Sequence, residues 1–107
     1  MKNARKPNRY GYKMTAKKIL ILPGDGIGPE VMTEVRRILD WCTNKRNLKL
    51  EITEDSVGGA AFEKYGSPLA DSTLTKAKEA DAVLLGAVGG PNWAKVAYDK
   101  RPEQGLL

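Results

Sequence analysis

The residues able to do chemistry fall into three stretches. Gly24-Asp25-Gly26-Ile27-Gly28-Pro29-Glu30 follows the aliphatic run Ile19-Leu20-Ile21-Leu22. Gly86-Ala87-Val88-Gly89-Gly90-Pro91-Asn92-Trp93 follows a second apolar run, and Arg101-Pro102-Glu103-Gln104-Gly105-Leu106-Leu107 closes the sequence. In the first stretch, Gly24, Gly26 and Gly28 permit turns that a Cβ would forbid. Such a loop either cradles phosphate or simply turns the chain. The spacing is G-x-G-x-G rather than the G-x-G-x-x-G of dinucleotide sites. Glu30 also places a carboxylate at a helix start, where a pyrophosphate wants none. The residues themselves leave both readings open. In the second stretch, glycines after an apolar strand suit close approach of a ligand, and Trp93 either stacks on that ligand or packs locally. The third offers a carboxylate in a Pro-started turn and two leucines expected to be exposed.

These stretches need a frame. Ile19 to Leu22 reads as a strand buried on both faces. Pro29 suits the first position of a helix, and Glu30 suits its dipole. A helix is expected from about Pro29 to Thr43, with Val31, Val35, Ile38, Leu39 and Cys42 as its apolar stripe. Leu48 to Glu54 alternates like a half-buried strand. Gly58-Gly59 marks a turn, and Ala60 to Tyr65 a short helix stopped by Gly66 and Pro68. Asp71 is placed to cap a further helix through about Ala80. Ala82 to Ala87 is a third, apolar strand. The pattern predicts an α/β fold, β-α-β-α-β, with a largely parallel sheet.

Composition narrows the chemistry. The chain has 107 residues with one cysteine, Cys42, and no histidine. A disulfide framework, a zinc site and Ser/Cys–His catalysis are thereby excluded within it. Cys42 lies on the apolar stripe and reads as a small buried hydrophobe. No run is long enough to span a membrane. The net charge of +5 comes entirely from residues 1–13, where Lys2, Arg5, Lys6, Arg9 and Lys13 face no acid. From Met14 onward, basic and acidic residues balance at 13 each. Residues 1–16 are therefore expected to be a disordered basic tail and 17–107 the body of the α/β fold. A nucleic-acid arm and a targeting peptide are other readings of the tail. An upstream start, with Met14 as the natural first residue, is the reading adopted. No nucleic-acid or membrane partner is expected.

Leu22-Pro23-Gly24-Asp25-Gly26-Ile27-Gly28-Pro29-Glu30-Val31 resembles the N-terminal signature of the β-decarboxylating dehydrogenases, which include isocitrate, 3-isopropylmalate, homoisocitrate and tartrate/D-malate dehydrogenases. Gly58-Gly59-Ala60-Ala61 is similar to a mainly structural motif of the 3-isopropylmalate branch. Leu84 to Trp93 resembles that branch's Leu-Leu-Gly-Ala-Val-Gly-Gly-Pro-Lys-Trp, with Asn92 in place of lysine. Arg101 to Leu107 is similar to its specificity loop and lacks the serine-containing loop of isocitrate dehydrogenases.

The resemblance implies an NAD-dependent oxidative decarboxylation of 3-isopropylmalate to 4-methyl-2-oxopentanoate, in leucine biosynthesis, by a cytoplasmic homodimer. It assigns cofactor contacts to Ile27 and to a segment comprising Gly90, Pro91, Asn92, Trp93, Ala94, Lys95, Val96, Ala97, Tyr98, Asp99, Lys100, Arg101, Pro102 and Glu103, with Glu103 at the nicotinamide ribose. Leu106 and Leu107 are assigned to the substrate's isopropyl group, where each methylene is worth roughly 1 kcal/mol of discrimination. The catalytic residues and the ligands of Mg²⁺ or Mn²⁺ are expected beyond residue 107, with none in this chain. The chain is accordingly expected to be an N-terminal portion that is inactive alone, with an uncovered sheet edge and helix faces short of neighbours.

Overall fold

The computed structural model describes residues 16–90 together with Ala97, Asp99, Arg101, Gln104 and Leu106. The elements run β1 (Lys17–Gly24), α1 (Gly28–Arg46), β2 (Leu50–Glu54), α2 (Gly58–Tyr65), α3 (Asp71–Glu79) and β3 (Ala82–Ala87). The basic tail expected over residues 1–16 lies, except for Ala16, outside the described residues.

The aliphatic run of β1 takes the centre of a three-stranded sheet ordered β2-β1-β3. Both neighbours pair with it in parallel. Leu20, Ile21 and Leu22 are buried, as a strand covered on both faces requires. The order fixes where the helices go. The chain steps from β1 to β2 in one direction and returns past β1 to β3 in the other. Parallel crossovers are right-handed, so α1 and the α2–α3 pair cover opposite faces. Leu20 and Leu22 point to one face and form a cluster with Val57, against which Leu69, Ala77, Ala80, Val88 and Leu106 pack. Ile21 points to the other face, that of α1.

Several element boundaries differ from the sequence-based expectation. The helix α1 continues to Arg46, because Asn47 closes it in the left-handed conformation, with its N–H donating to the Cys42 carbonyl. Met32, not part of the expected stripe, is buried, whereas Val31 and Ile38 are exposed. The stripe was placed by period alone, and α1 rests on a sheet too narrow to cover it. Cys42 is half-buried. Leu48 is exposed and precedes β2, which starts at Leu50. Gly58 and Gly59 open α2 rather than forming a separate turn. Asp71 is the first residue of α3 and makes no side-chain cap, the cap position being Ala70. The strand β3 spans the expected residues. No helix among the described residues is long and apolar enough to cross a membrane.

Candidate functional site

The strand order reverses beside β1: the first crossover leaves on the β2 side and the second returns on the β3 side. In open α/β sheets, the crevice outside the carboxyl ends of the strands at such a reversal is where ligands bind. Here that crevice is bounded by the loop leaving β1, residues 25–27, and the loop leaving β3, residues 88–90.

Close backbone packing brings the two loops together. Gly28 opens α1 directly over the strand ends, and a Cβ on it would run into the Pro23 carbonyl oxygen. A Cβ on Gly86 would meet the same oxygen and the Gly28 Cα at 3.1 Å. Only glycine at both positions lets the first turn of α1 cross β3 this closely. The Asp25 N–H then donates to the Ala87 carbonyl at 2.6 Å, continuing the β1–β3 ladder one step past the strands.

The Asp25 side chain completes the arrangement. Its Oδ2 accepts from the Gly59 N–H at 2.7 Å and from the Gly89 N–H at 2.9 Å. Its Oδ1 accepts from the Ala60 N–H at 2.7 Å. One carboxylate thus ties the β1 loop to the start of α2 and to the loop after β3. Three backbone donors are thus spent on its two oxygens. The sequence reading missed this role. Its partners lie 34, 35 and 64 residues away, so no local spacing could reveal it.

A second carboxylate, Asp55, follows β2 and is also missing from the sequence reading. Its Oδ1 accepts from the Ser56 N–H at 2.8 Å and from the Tyr65 hydroxyl at 2.8 Å. Its Oδ2 accepts from the Thr73 hydroxyl at 2.9 Å and from Lys76 Nζ at 3.1 Å. Burial pushes the Asp55 pKa up, but the Ser56 N–H, Tyr65, Thr73 and Lys76 together outweigh it and lower the value from 3.8 to about 2. Asp55 is therefore a charged structural node that joins β2, α2 and α3.

The structure places some of the expected ligand residues at that crevice. Ile27 occupies the cap position of α1 and is 66% exposed. Gly90 is exposed, with φ +156° and open space where a Cβ would stand. A Cβ on Gly26 would lie 3.8 Å from the Gly89 carbonyl oxygen, so the two loops run side by side. An exposed aliphatic side chain beside bare glycine backbone leaves room for the flat face of a ligand. It does not suit a pyrophosphate, since Glu30 stands in the first turn of α1.

Further along, Ala97 and Asp99 are exposed and Arg101 is half-buried, with its carbonyl accepting from the Gln104 N–H at 3.0 Å. Leu106, expected to be exposed, is half-buried and packs against the Leu20–Leu22–Val57 cluster. Apolar surface drew it there, because that cluster is covered on one side only by α2 and α3. Pro91 to Val96, Tyr98, Lys100, Pro102, Glu103 and Leu107 lie outside the described residues. Among the described residues no group of three or more acidic or cysteine side chains could hold a metal ion.

Comparison with known proteins is consistent along the whole body. Residues 18–107 match the isocitrate/isopropylmalate dehydrogenase family. The 3-isopropylmalate dehydrogenase of Paramagnetospirillum magneticum is 61% identical over 94 residues, covering 88% of this chain and 26% of that protein. The 3-isopropylmalate dehydrogenase of Ruegeria pomeroyi is 58% identical over the same share of each. The chain thus spans about a quarter of the length of these relatives. Among solved structures, the isocitrate dehydrogenase of Methylococcus capsulatus superposes with a TM-score of 0.63 at 29% identity, over 77% of this chain and 22% of that one. The apo β-decarboxylating dehydrogenase of Thermococcus kodakarensis gives 0.59 at 33% identity, over 70% and 21%. Sequence and fold comparisons therefore agree, and the chain belongs to the isocitrate/isopropylmalate dehydrogenase family.

Proposed function

We propose that the chain supplies the amino-terminal quarter of an NAD-dependent 3-isopropylmalate dehydrogenase. The enzyme oxidises and decarboxylates 3-isopropylmalate to 4-methyl-2-oxopentanoate, a step of leucine biosynthesis, as a cytoplasmic homodimer. The observation that supports this branch of the family is the identity to 3-isopropylmalate dehydrogenases, 61% and 58% over 94 residues, or 88% of the chain.

In this reading the crevice between the β1 and β3 loops receives the nicotinamide end of NAD. Ile27 packs against the ring, and the bare backbone at Gly90 lets the cofactor approach closely. Glu103 meets the ribose hydroxyls, and the segment from Pro91 to Pro102 borders the cofactor. Leu106 and Leu107 line an apolar pocket for the isopropyl group, in which a third carboxylate on the substrate would be desolvated at a cost. NAD, when bound, takes the hydride from the carbinol carbon. In this reading the ligands of Mg²⁺ or Mn²⁺ and the general base belong to the other three quarters of the enzyme. The 107-residue chain by itself is inactive.

A chimera tests this. Residues 17–107 replace the corresponding segment of the Paramagnetospirillum magneticum enzyme, and NAD reduction is followed with 3-isopropylmalate, isocitrate and D-malate. Turnover is expected with 3-isopropylmalate and far less with the other two. A folded chimera that prefers isocitrate or D-malate overturns the assignment to this branch. NAD reduction by the 107-residue chain alone overturns the claim that it is inactive.

A further inference from the structure

The two loops that flank the crevice belong to different strands, and one side chain holds them in register. We infer that Asp25 is a positioning residue for the cofactor, fixing the Gly89–Gly90 backbone relative to Ile27. The inference rests on the reading of the crevice as the nicotinamide site; the hydrogen-bond geometry does not.

Three observations support it. Asp25 is anchored on its own side by backbone, with its N–H on the Ala87 carbonyl and its carbonyl accepting from the Gly28 N–H at 2.8 Å. Ile27 follows two residues later, so its place is set by the same turn. Across the crevice, Gly89 has φ +89° and Gly90 φ +156°, a path that many other loop conformations could replace. The Gly89 N–H bond to Oδ2 selects it, because without that acceptor the donor would be left unpaired in a half-buried loop.

The third observation concerns Gly58. A Cβ there would lie 2.5 Å from Asp25 Oδ2 and 2.9 Å from Val88 Cγ1. The Gly58-Gly59-Ala60 stretch is therefore shaped to admit the Asp25 carboxylate, with Gly59 and Ala60 supplying two of its three donors. A glycine motif distant in sequence thus serves the crevice through Asp25.

Substitutions separate positioning from mere folding. Asparagine can set its amide oxygen at the Oδ2 position, keeping Gly59 and Gly89, but it faces the Ala60 N–H with a donor in place of an acceptor. Alanine loses all three. In the chimera, Asp25→Ala should raise the KM and Kd for NAD roughly tenfold while the KM for 3-isopropylmalate stays within about twofold. Asp25→Asn should bring NAD affinity back to within about threefold of the unsubstituted protein. Kd is read by titration calorimetry, independently of turnover. Amide exchange of the full 107-residue chain supplies a readout without cofactor: the Gly89 amide exchanges faster in Asp25→Ala than in Asp25→Asn.

A folded Asp25→Ala protein with unchanged NAD affinity overturns the inference. So does an equal rise in both KM values, or an asparagine variant as impaired as alanine. An unsubstituted chimera that folds and binds no NAD overturns the nicotinamide-site reading, and the inference with it. In that case normal Gly89 protection would still show the hydrogen bond itself to be present, so the two failures are told apart.

Discussion

Thr73 donates its hydroxyl to Asp55 Oδ2 at 2.9 Å, and both residues are buried, at 0% and 7% exposure. This bond ties the first turn of α3 to the residue that follows β2. Together with the bond from Tyr65 it makes Asp55 the junction of β2, α2 and α3. Because the folded pKa of about 2 lies below the ordinary value of 3.8, folding favours the ionised carboxylate. Its contribution is complete above pH near 3.8 and is lost as pH falls from there through about 2. The size is about 2 kcal/mol. Denaturant titrations of the protein across this window should show that loss, and Asp55→Asn should flatten the pH dependence.

Thr73→Val keeps the shape of the side chain and removes the donor. Asp55 stays buried with one partner fewer, so a loss of about 1–3 kcal/mol is expected from denaturation at neutral pH. Tyr65→Phe removes the donor to Oδ1 and should act in the same direction. Lys76→Gln should cost less than either, since the Lys76 side chain is 50% exposed and water screens its ion pair. If Lys76→Gln costs more than Thr73→Val, the ranking by burial is wrong.

Gly58 and Gly66 offer a matched pair. Both have positive φ, +70° and +79°. At Gly66 nothing lies within 4 Å of a Cβ, so Gly66→Ala should cost only the left-handed conformation, about 1 kcal/mol. At Gly58 the same conformation is combined with collisions against Asp25 Oδ2 and Val88 Cγ1. Gly58→Ala should therefore cost clearly more, roughly 2–4 kcal/mol. Thermal melts of the two variants side by side decide the matter, and equal losses would show that the collision is relieved.

The sheet leaves apolar surface uncovered. Register pairs Leu20 with Val83 and Leu22 with Leu85, so all four share the α2–α3 face. The helices cover the β1 residues, yet Val83 is 41% and Leu85 52% exposed. On the other side, Ile38 and Trp41 line an exposed groove of α1 with Glu34 and Arg37. The 107-residue chain should self-associate through such surface. Leu85→Lys and Ile38→Glu should each reduce association in sedimentation while changing stability by less than about 0.5 kcal/mol at the exposed helix position. Unchanged sedimentation in both variants would place the association elsewhere.

Much of the fold was legible because its signals are local. Four aliphatic residues in a row mark a central strand, and the Pro29–Glu30 pair marks a helix start. Apolar β3 was found residue for residue. The misses have equally local causes. Period alone cannot say how wide a sheet the helix will meet, so Val31 and Ile38 were expected on the buried face and are exposed. An acid ahead of a helix looks like a cap, yet Asp71 lies inside α3.

The sequence by itself determined the strand and helix order, the balanced charge of the body, the absence of histidine chemistry, and the three glycine-rich stretches whose resemblance points to the family. Tertiary structure alone decided the strand order β2-β1-β3, and with it the reversal that creates a crevice between the β1 and β3 loops. It alone decided the work of the two carboxylate nodes. Asp25 and Asp55 look like ordinary loop acids in the sequence, because nearly all their partners come from segments that meet only when the sheet closes. A hydrogen bond depends on distance in space, and the spacing of residues along a chain records that distance only within a single turn or strand.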